Sequence, residues 1–134
     1  MGSNFSFIKL YVSDHTKLVD FYCKVLGFNV ASHAIDGEGE DEHEESILTF
    51  GDGVGSTQGA DLIIVQEYHR PAPPPGEVTV LYWVEDANAV AAKAVEHEGS
   101  IDIAVEDDMR FNTRTGYLKD PEGHRFQLMQ MLPS

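Results

Sequence analysis

The sequence predicts an α+β fold of two tandem βαβββ modules, and three observations point to it. A strand-then-helix pattern returns 72 residues later, with Val12-Ser-Asp14 answered by Val84-Glu-Asp86. The halves also end alike, since Gly59-Ala-Asp-Leu-Ile-Ile-Val-Gln66 lies over Gly123-His-Arg-Phe-Gln-Leu-Met-Gln130 at an offset of 64. Between them, Arg70-Pro-Ala-Pro-Pro-Pro-Gly76 reads as a stiff linker. Self-similarity at a fixed spacing is the mark of a duplicated supersecondary unit.

Each element has its own signal. Phe5 to Val12 is rich in β-branched and aromatic residues and reads as a strand. Asp14 follows as an N-cap. Leu18, Phe21, Tyr22, Val25 and Leu26 then repeat at the spacing of an apolar helical stripe, and Gly27 ends the helix in a left-handed turn. Strands are expected near Asn29 to His33 and Ser46 to Phe50, separated by the acidic run Asp36 to Glu45, and the closing strand falls within 59–66. In the second half, Val78 to Val84 is the strand, Asp86 the cap, Ala87 to Glu98 the helix and Gly99 its stop. This helix is Ala-rich, which favours helix formation despite a less bulky face. Further strands are expected near Ile101 to Val105 and Thr113 to Leu118, before the closing one in 123–130. The boundaries are a single domain over residues 1–134, with module one at about 5–68, the linker at 70–76 and module two at about 77–132.

Composition narrows the partners. A net charge of −14, with only 9 scattered Lys and Arg, repels phosphate backbones and anionic membrane surfaces. Nucleic acid and membrane are therefore not expected partners. No apolar run reaches the ~18 residues that cross a bilayer, and residues 1–4 show no signal-peptide pattern. The lone Cys23 suits a reducing cytoplasm and reads as a structural thiol. The acidic run 36–45 reads as a solvated loop; its spacing is not that of a recognised calcium loop, although several carboxylates suit a hard cation.

The opening Ile8-Lys-Leu-Tyr-Val-Ser-Asp14 and Phe21-Tyr-Cys-Lys-Val-Leu-Gly-Phe28 resemble the first module of the vicinal oxygen chelate family, the glyoxalase/bleomycin-resistance/dioxygenase proteins. Leu118-Lys-Asp-Pro-Glu-Gly-His-Arg-Phe-Gln-Leu128 resembles their closing hairpin. The resemblance implies sheets curled around a cleft with the helices outside, and a homodimer. Metal-dependent members hold a divalent ion on four inward His or Glu side chains, which polarise substrate oxygens through the ion. Aligning on the Val-x-Asp and Asp-Pro-x-Gly anchors places those positions at Phe7, Ile63, Thr79 and Gln127. They pair by the internal offsets of 72 and 64, and none is a family-type ligand. No metal and no cofactor are expected there. Of the six histidines none pairs with another at metal-clip spacing; His33 and His43 read as surface histidines or as partners of acidic neighbours in a site outside the family pattern.

Strand alternation puts Phe7, Lys9 and Tyr11 on one face, with Thr79, Leu81 and Trp83 on the corresponding face of module two; Ile63 and Val65 join them. Ile8, Leu10, Val80, Tyr82, Phe126 and Leu128 should face the helices as core. Such an aromatic lining suits a flat or cationic organic ligand, although plain packing also explains Phe7 and Trp83. Lys9 reads as a base, an anion anchor or a snorkelling rim lysine. Arg114 reads as a carboxylate fork or as a bridge to nearby acids, and Met109, Arg110 and Asn112 are weaker candidates. Three functions stay open: metal-independent sequestration of a small aromatic or cationic molecule, as in bleomycin-resistance proteins; metal-free lyase or isomerase chemistry through Lys9, Tyr11 or Gln127; and a glyoxalase- or dioxygenase-type enzyme with relocated ligands.

Overall fold

A computed structural model describes residues 2–56, 59–76 and 78–134. The chain divides into two compact units, Met1–Pro74 and Pro75–Ser134, so the break falls inside the proline-rich segment. The expected start of module two at residue 77 lies outside the described residues. Among those described, no helix is long and apolar enough to cross a membrane.

The first unit contains β1 (Phe7–Tyr11), α1 (His15–Leu26), β2 (Asn29–Asp36), a 3-10 turn at Gly39–Asp41, β3 (His43–Thr49) and β4 (Asp61–Glu67). Its sheet runs β1-β4-β3-β2, with β1 parallel to β4 and the other pairs antiparallel. The second unit repeats the plan with β5 (Val80–Trp83), α2 (Ala87–Glu96), β6 (Ser100–Asp108), β7 (Thr113–Lys119) and β8 (Arg125–Met131). Its order is β5-β8-β7-β6, with β5 parallel to β8. Register bears out the duplication: Lys9 pairs with Ile63 and Leu81 with Gln127, which are the same positions at the two sequence offsets.

Each helix starts in the same way. Asp14 accepts from Lys17 N at 3.1 Å, and Asp86 from Ala89 N at 3.0 Å, which satisfies amides that no helical carbonyl reaches. A glutamine on the last strand then grips the first helical residue: His15 N donates to Gln66 Oε1 at 2.9 Å, and Ala87 N to Gln130 Oε1 at 2.8 Å. Below these pins the apolar stripe is buried. Leu18, Phe21, Tyr22 and Val25 sit with Leu48, Leu62 and Ile64 in the core of unit one. Ala87, Ala91 and Ala94 occupy that role in unit two, with Leu118, Phe126 and Leu128 beneath. Small alanines let α2 approach its sheet closely. Gly116 is equally constrained, since a Cβ there would lie 2.8 Å from Val105 Cγ2.

Several expected boundaries move. β1 and β5 are shorter than 5–12 and 78–84, which leaves Thr79 just before its strand. The acidic run is not one solvated loop, because β2 and β3 continue into it and pair out to Asp36 and His43. Residues after β4 make that extension tolerable for the charges. Arg70 bridges Asp41 at 2.7 Å and Glu67 at 2.8 Å, His69 meets Glu42 at 3.1 Å, and the Tyr68 hydroxyl donates to Glu44 Oε1 at 2.8 Å. α2 ends at Glu96 instead of Glu98, and Glu98 (φ 72°) makes a left-handed turn one residue before Gly99, the expected stop. β6 begins at Ser100, so the reversal must be complete one residue earlier. α1, in contrast, stops at Gly27 (φ 83°) as expected.

Removing either pin should loosen its helix. Asp86→Ala is expected to cost about 1 kcal/mol and Gln130→Leu about 1–2 kcal/mol in urea unfolding. An unchanged midpoint for both would mean that the α2 start does not depend on these contacts.

Candidate functional site

Alternation divides each sheet into a helix face and an open face. On the open face of unit one, Phe7, Lys9 and Tyr11 are exposed, while Ile63 and Val65 beside them are buried. Lys9, Tyr11 and Val65 border a hollow of about 260 Å³ whose rim carries Asp41, Glu45 and Glu67. Arg70 closes one side, held between Asp41 and Glu67. An aromatic ring, a lysine and three carboxylates thus share one small concavity.

In unit two, Leu81 and Trp83 share the open face, and Trp83 is 62% exposed. Leu81 pairs with Gln127, which pairs with Tyr117. Gln127 Nε2 donates to Thr115 Oγ1 at 2.9 Å, and that hydroxyl donates to Leu128 O at 2.9 Å, so the amide is committed to the sheet. Thr115 and Tyr117 border a hollow of about 300 Å³ rimmed by Glu106, Asp107 and Asp108, with Met109 at its edge. The Tyr117 ring carries a cation, the Arg125 guanidinium, 4.1 Å from its centroid. Thr79 is exposed ahead of the strand. Of the weaker candidates, Arg110 is tied to Asp108 at 3.1 Å, and Asn112 Nδ2 donates to Leu132 O at 3.1 Å.

Arg114 belongs elsewhere. It pairs across the sheet with Gln130, the residue that pins α2, so it points to the helix face and not with Trp83 and Gln127. Its Nε donates to Asp107 Oδ1 at 2.7 Å, which holds the Asp107 carboxylate below its usual range. The equivalent position in unit one, paired with Gln66, is Glu44.

Around Glu44 lies a cluster that the sequence reading reached only through His33 and its acidic neighbours, without His15. His33 Nε2 donates to Glu44 Oε2 at 2.7 Å, and His15 Nδ1 lies 3.3 Å from the same oxygen. His15 Nε2 and the Ser46 hydroxyl are 2.8 Å apart. Burial pushes the His15 imidazole below its usual range, partly offset by Glu44. The His33 hydrogen bond holds Glu44 low in spite of its own desolvation. The group borders a cavity of about 530 Å³ that also touches Val19, Cys23 and Val30. The only signal in the sequence was the pair of residues His33 and Glu44 on flanking strands, and it depends on a hairpin register that extends into the acidic run. His43, the other histidine singled out there, instead points its ring to the carbonyl of Asp41 at 2.8 Å.

Residues 4–128 match the model of the Glyoxalase/Bleomycin resistance protein/Dioxygenase superfamily. No curated protein gave a match. Among solved structures, a glyoxalase family protein from Bacillus cereus is 17% identical, with a TM-score of 0.80 and 99% of each chain covered. A glyoxalase I variant from Zea mays is 21% identical with a TM-score of 0.73; 93% of this chain is covered, but it spans only 45% of the maize chain. TioX from Micromonospora sp. ML1 is 18% identical with a TM-score of 0.64, covering 97% of this chain and all (100%) of TioX. These identities speak to fold, and the fold is the duplicated βαβββ plan described above. With nearly the whole chain matched, the protein belongs to the Glyoxalase/Bleomycin resistance protein/Dioxygenase superfamily.

Proposed function

We propose that this protein binds a small cationic or aromatic organic molecule on the open faces of its sheets, without a metal at Phe7, Ile63, Thr79 and Gln127. The observation that carries this reading is the pairing of a tyrosine, exposed Tyr11 or half-buried Tyr117, with an acid-rimmed hollow in each unit. Tyr11 sits with Asp41, Glu45 and Glu67, and Tyr117 with Glu106, Asp107 and Asp108. Trp83 adds a broad exposed ring beside Leu81. Aromatic faces and carboxylates both attract cations, and the net charge of −14 raises the encounter rate for a positively charged ligand. The four positions that carry metal in metal-dependent relatives hold Phe, Ile, Thr and Gln, and the Gln127 amide is spent on Thr115. Sequestration, as in bleomycin-resistance-type proteins, fits such a surface better than chemistry that needs a Lewis acid there. The same reading places the protein in the cytoplasm as a homodimer, which sedimentation of the purified chain checks.

Trp83 is the sole tryptophan, so its fluorescence reports binding directly. Titration with a panel of cationic aromatic dyes and drugs should quench it saturably, with no new product by mass spectrometry. Trp83→Ala should weaken binding, followed by calorimetry, about tenfold (~1.4 kcal/mol), and raised salt should weaken it further. Lys93→Ala, exposed on α2, should leave affinity unchanged. Turnover of a bound compound would replace sequestration with the enzyme reading, and indifference to Trp83→Ala would remove the aromatic face from the site.

A further inference from the structure

We propose that His15, His33 and Glu44 form a site for a divalent transition-metal ion of the zinc class, on the helix face of the first sheet. This is separate from the small-molecule reading, which concerns the open face. Two imidazoles and one carboxylate are a ligand set that suits such ions, and their ligating atoms all lie within 4.8 Å of one another.

The geometry is close to what an ion needs. Ligand atoms ~2.1 Å from a tetrahedral zinc are separated by ~3.4 Å. His15 Nδ1 and Glu44 Oε2 are 3.3 Å apart. His33 Nε2, 2.7 Å from the same oxygen, must retreat by a fraction of an ångström, and its side chain is 48% exposed and has room to do so. His15 cannot move so freely, because its side chain is only 5% exposed and its backbone amide is pinned by Gln66.

The second observation is an orphan atom. His15 Nδ1 is buried and makes no hydrogen bond, although it is aimed at the Glu44 carboxylate. Buried polar atoms without partners are uncommon and ask for an explanation. In the tautomer whose Nε2–H donates to Ser46 Oγ, 2.8 Å away, Nδ1 carries the lone pair that a metal takes. Glu44 is held in the same manner: Tyr68 donates to Oε1, leaving Oε2 directed at both histidines. An outer hydrogen bond fixing a ligand is the arrangement that metal sites use to orient the groups on the ion.

Three protein ligands leave a position open toward the 530 Å³ cavity, where water or a small donor molecule completes the shell. Among the described residues, unit two has no counterpart. Ala87 stands at the position of His15, and the Glu44 position holds Arg114, paired with Asp107. The site is therefore a property of the first module and not of the duplicated plan.

The test uses untagged, metal-stripped full-length protein titrated with Zn²⁺ and with Co²⁺. One equivalent per chain, a higher melting temperature and visible d–d bands of low-symmetry Co²⁺ are expected. His33→Ala and Glu44→Gln should each weaken Co²⁺ binding at least tenfold (~1.4 kcal/mol or more) with far-ultraviolet circular dichroism preserved. Ser46→Ala should weaken it about tenfold through loss of orientation, and His97→Ala, in unit two, should not. Because His33 is half exposed, its variant carries the test even if Glu44→Gln folds poorly. Absence of saturable binding overturns the proposal. So does binding that is unchanged in His33→Ala, which would assign the ion to the acidic hairpin instead.

Discussion

The grip of a strand glutamine on the first amide of a helix organises each module. A helix leaves its first amides without helical partners, and burying that end against a sheet demands acceptors from elsewhere. Gln66 and Gln130 supply one each, and Asp14 and Asp86 supply another from the cap. Because the acceptor sits on β4 or β8, the axial position of the helix over its sheet is set by that contact. The apolar stripe of α1 then falls on Leu48, Leu62 and Ile64. The first and last strands of each module pair in parallel, which brings the glutamine at the end of the last strand beside the start of the helix.

That placement also decides which surfaces remain open. α1 packs on β3 and β4, so the β2 edge lies beyond its cover, and the cavity bordered by Val30 and His33 lies there. His15 is both the pinned residue and a wall of that cavity, so the contact that starts the helix also fixes an imidazole beside Glu44. In the second module the equivalent contact starts with Ala87, and the neighbouring polar position became an Arg114–Asp107 pair. One scaffold interaction thus carries two unlike polar clusters.

The two faces of each sheet carry separate chemistry because side chains alternate. Helix faces hold the core and, at the helix starts, the polar clusters. Open faces hold Tyr11, Leu81, Trp83 and the acid-rimmed hollows. An acidic chain gathers its carboxylates where Arg70, Arg114 and Arg110 answer some of them and leave others to solvent.

The sequence by itself determined the duplicated plan, both helix N-caps, the stop of α1 and the alternation of β1 and β5 between two faces. Those features are local: Asp14 and Gly27 act within one helix, and the period of two along β1 or β5 needs no knowledge of neighbours. Only the tertiary structure decided the ends of β2 and β3, the side on which Arg114 lies, and the meeting of His15, His33 and Glu44. Each depends on register between segments far apart in the chain, and a slip of one residue sends every side chain to the other face. Beyond β4, Arg70 neutralises and Tyr68 and His69 hydrogen-bond carboxylates of an acidic run that composition alone marks as a loop.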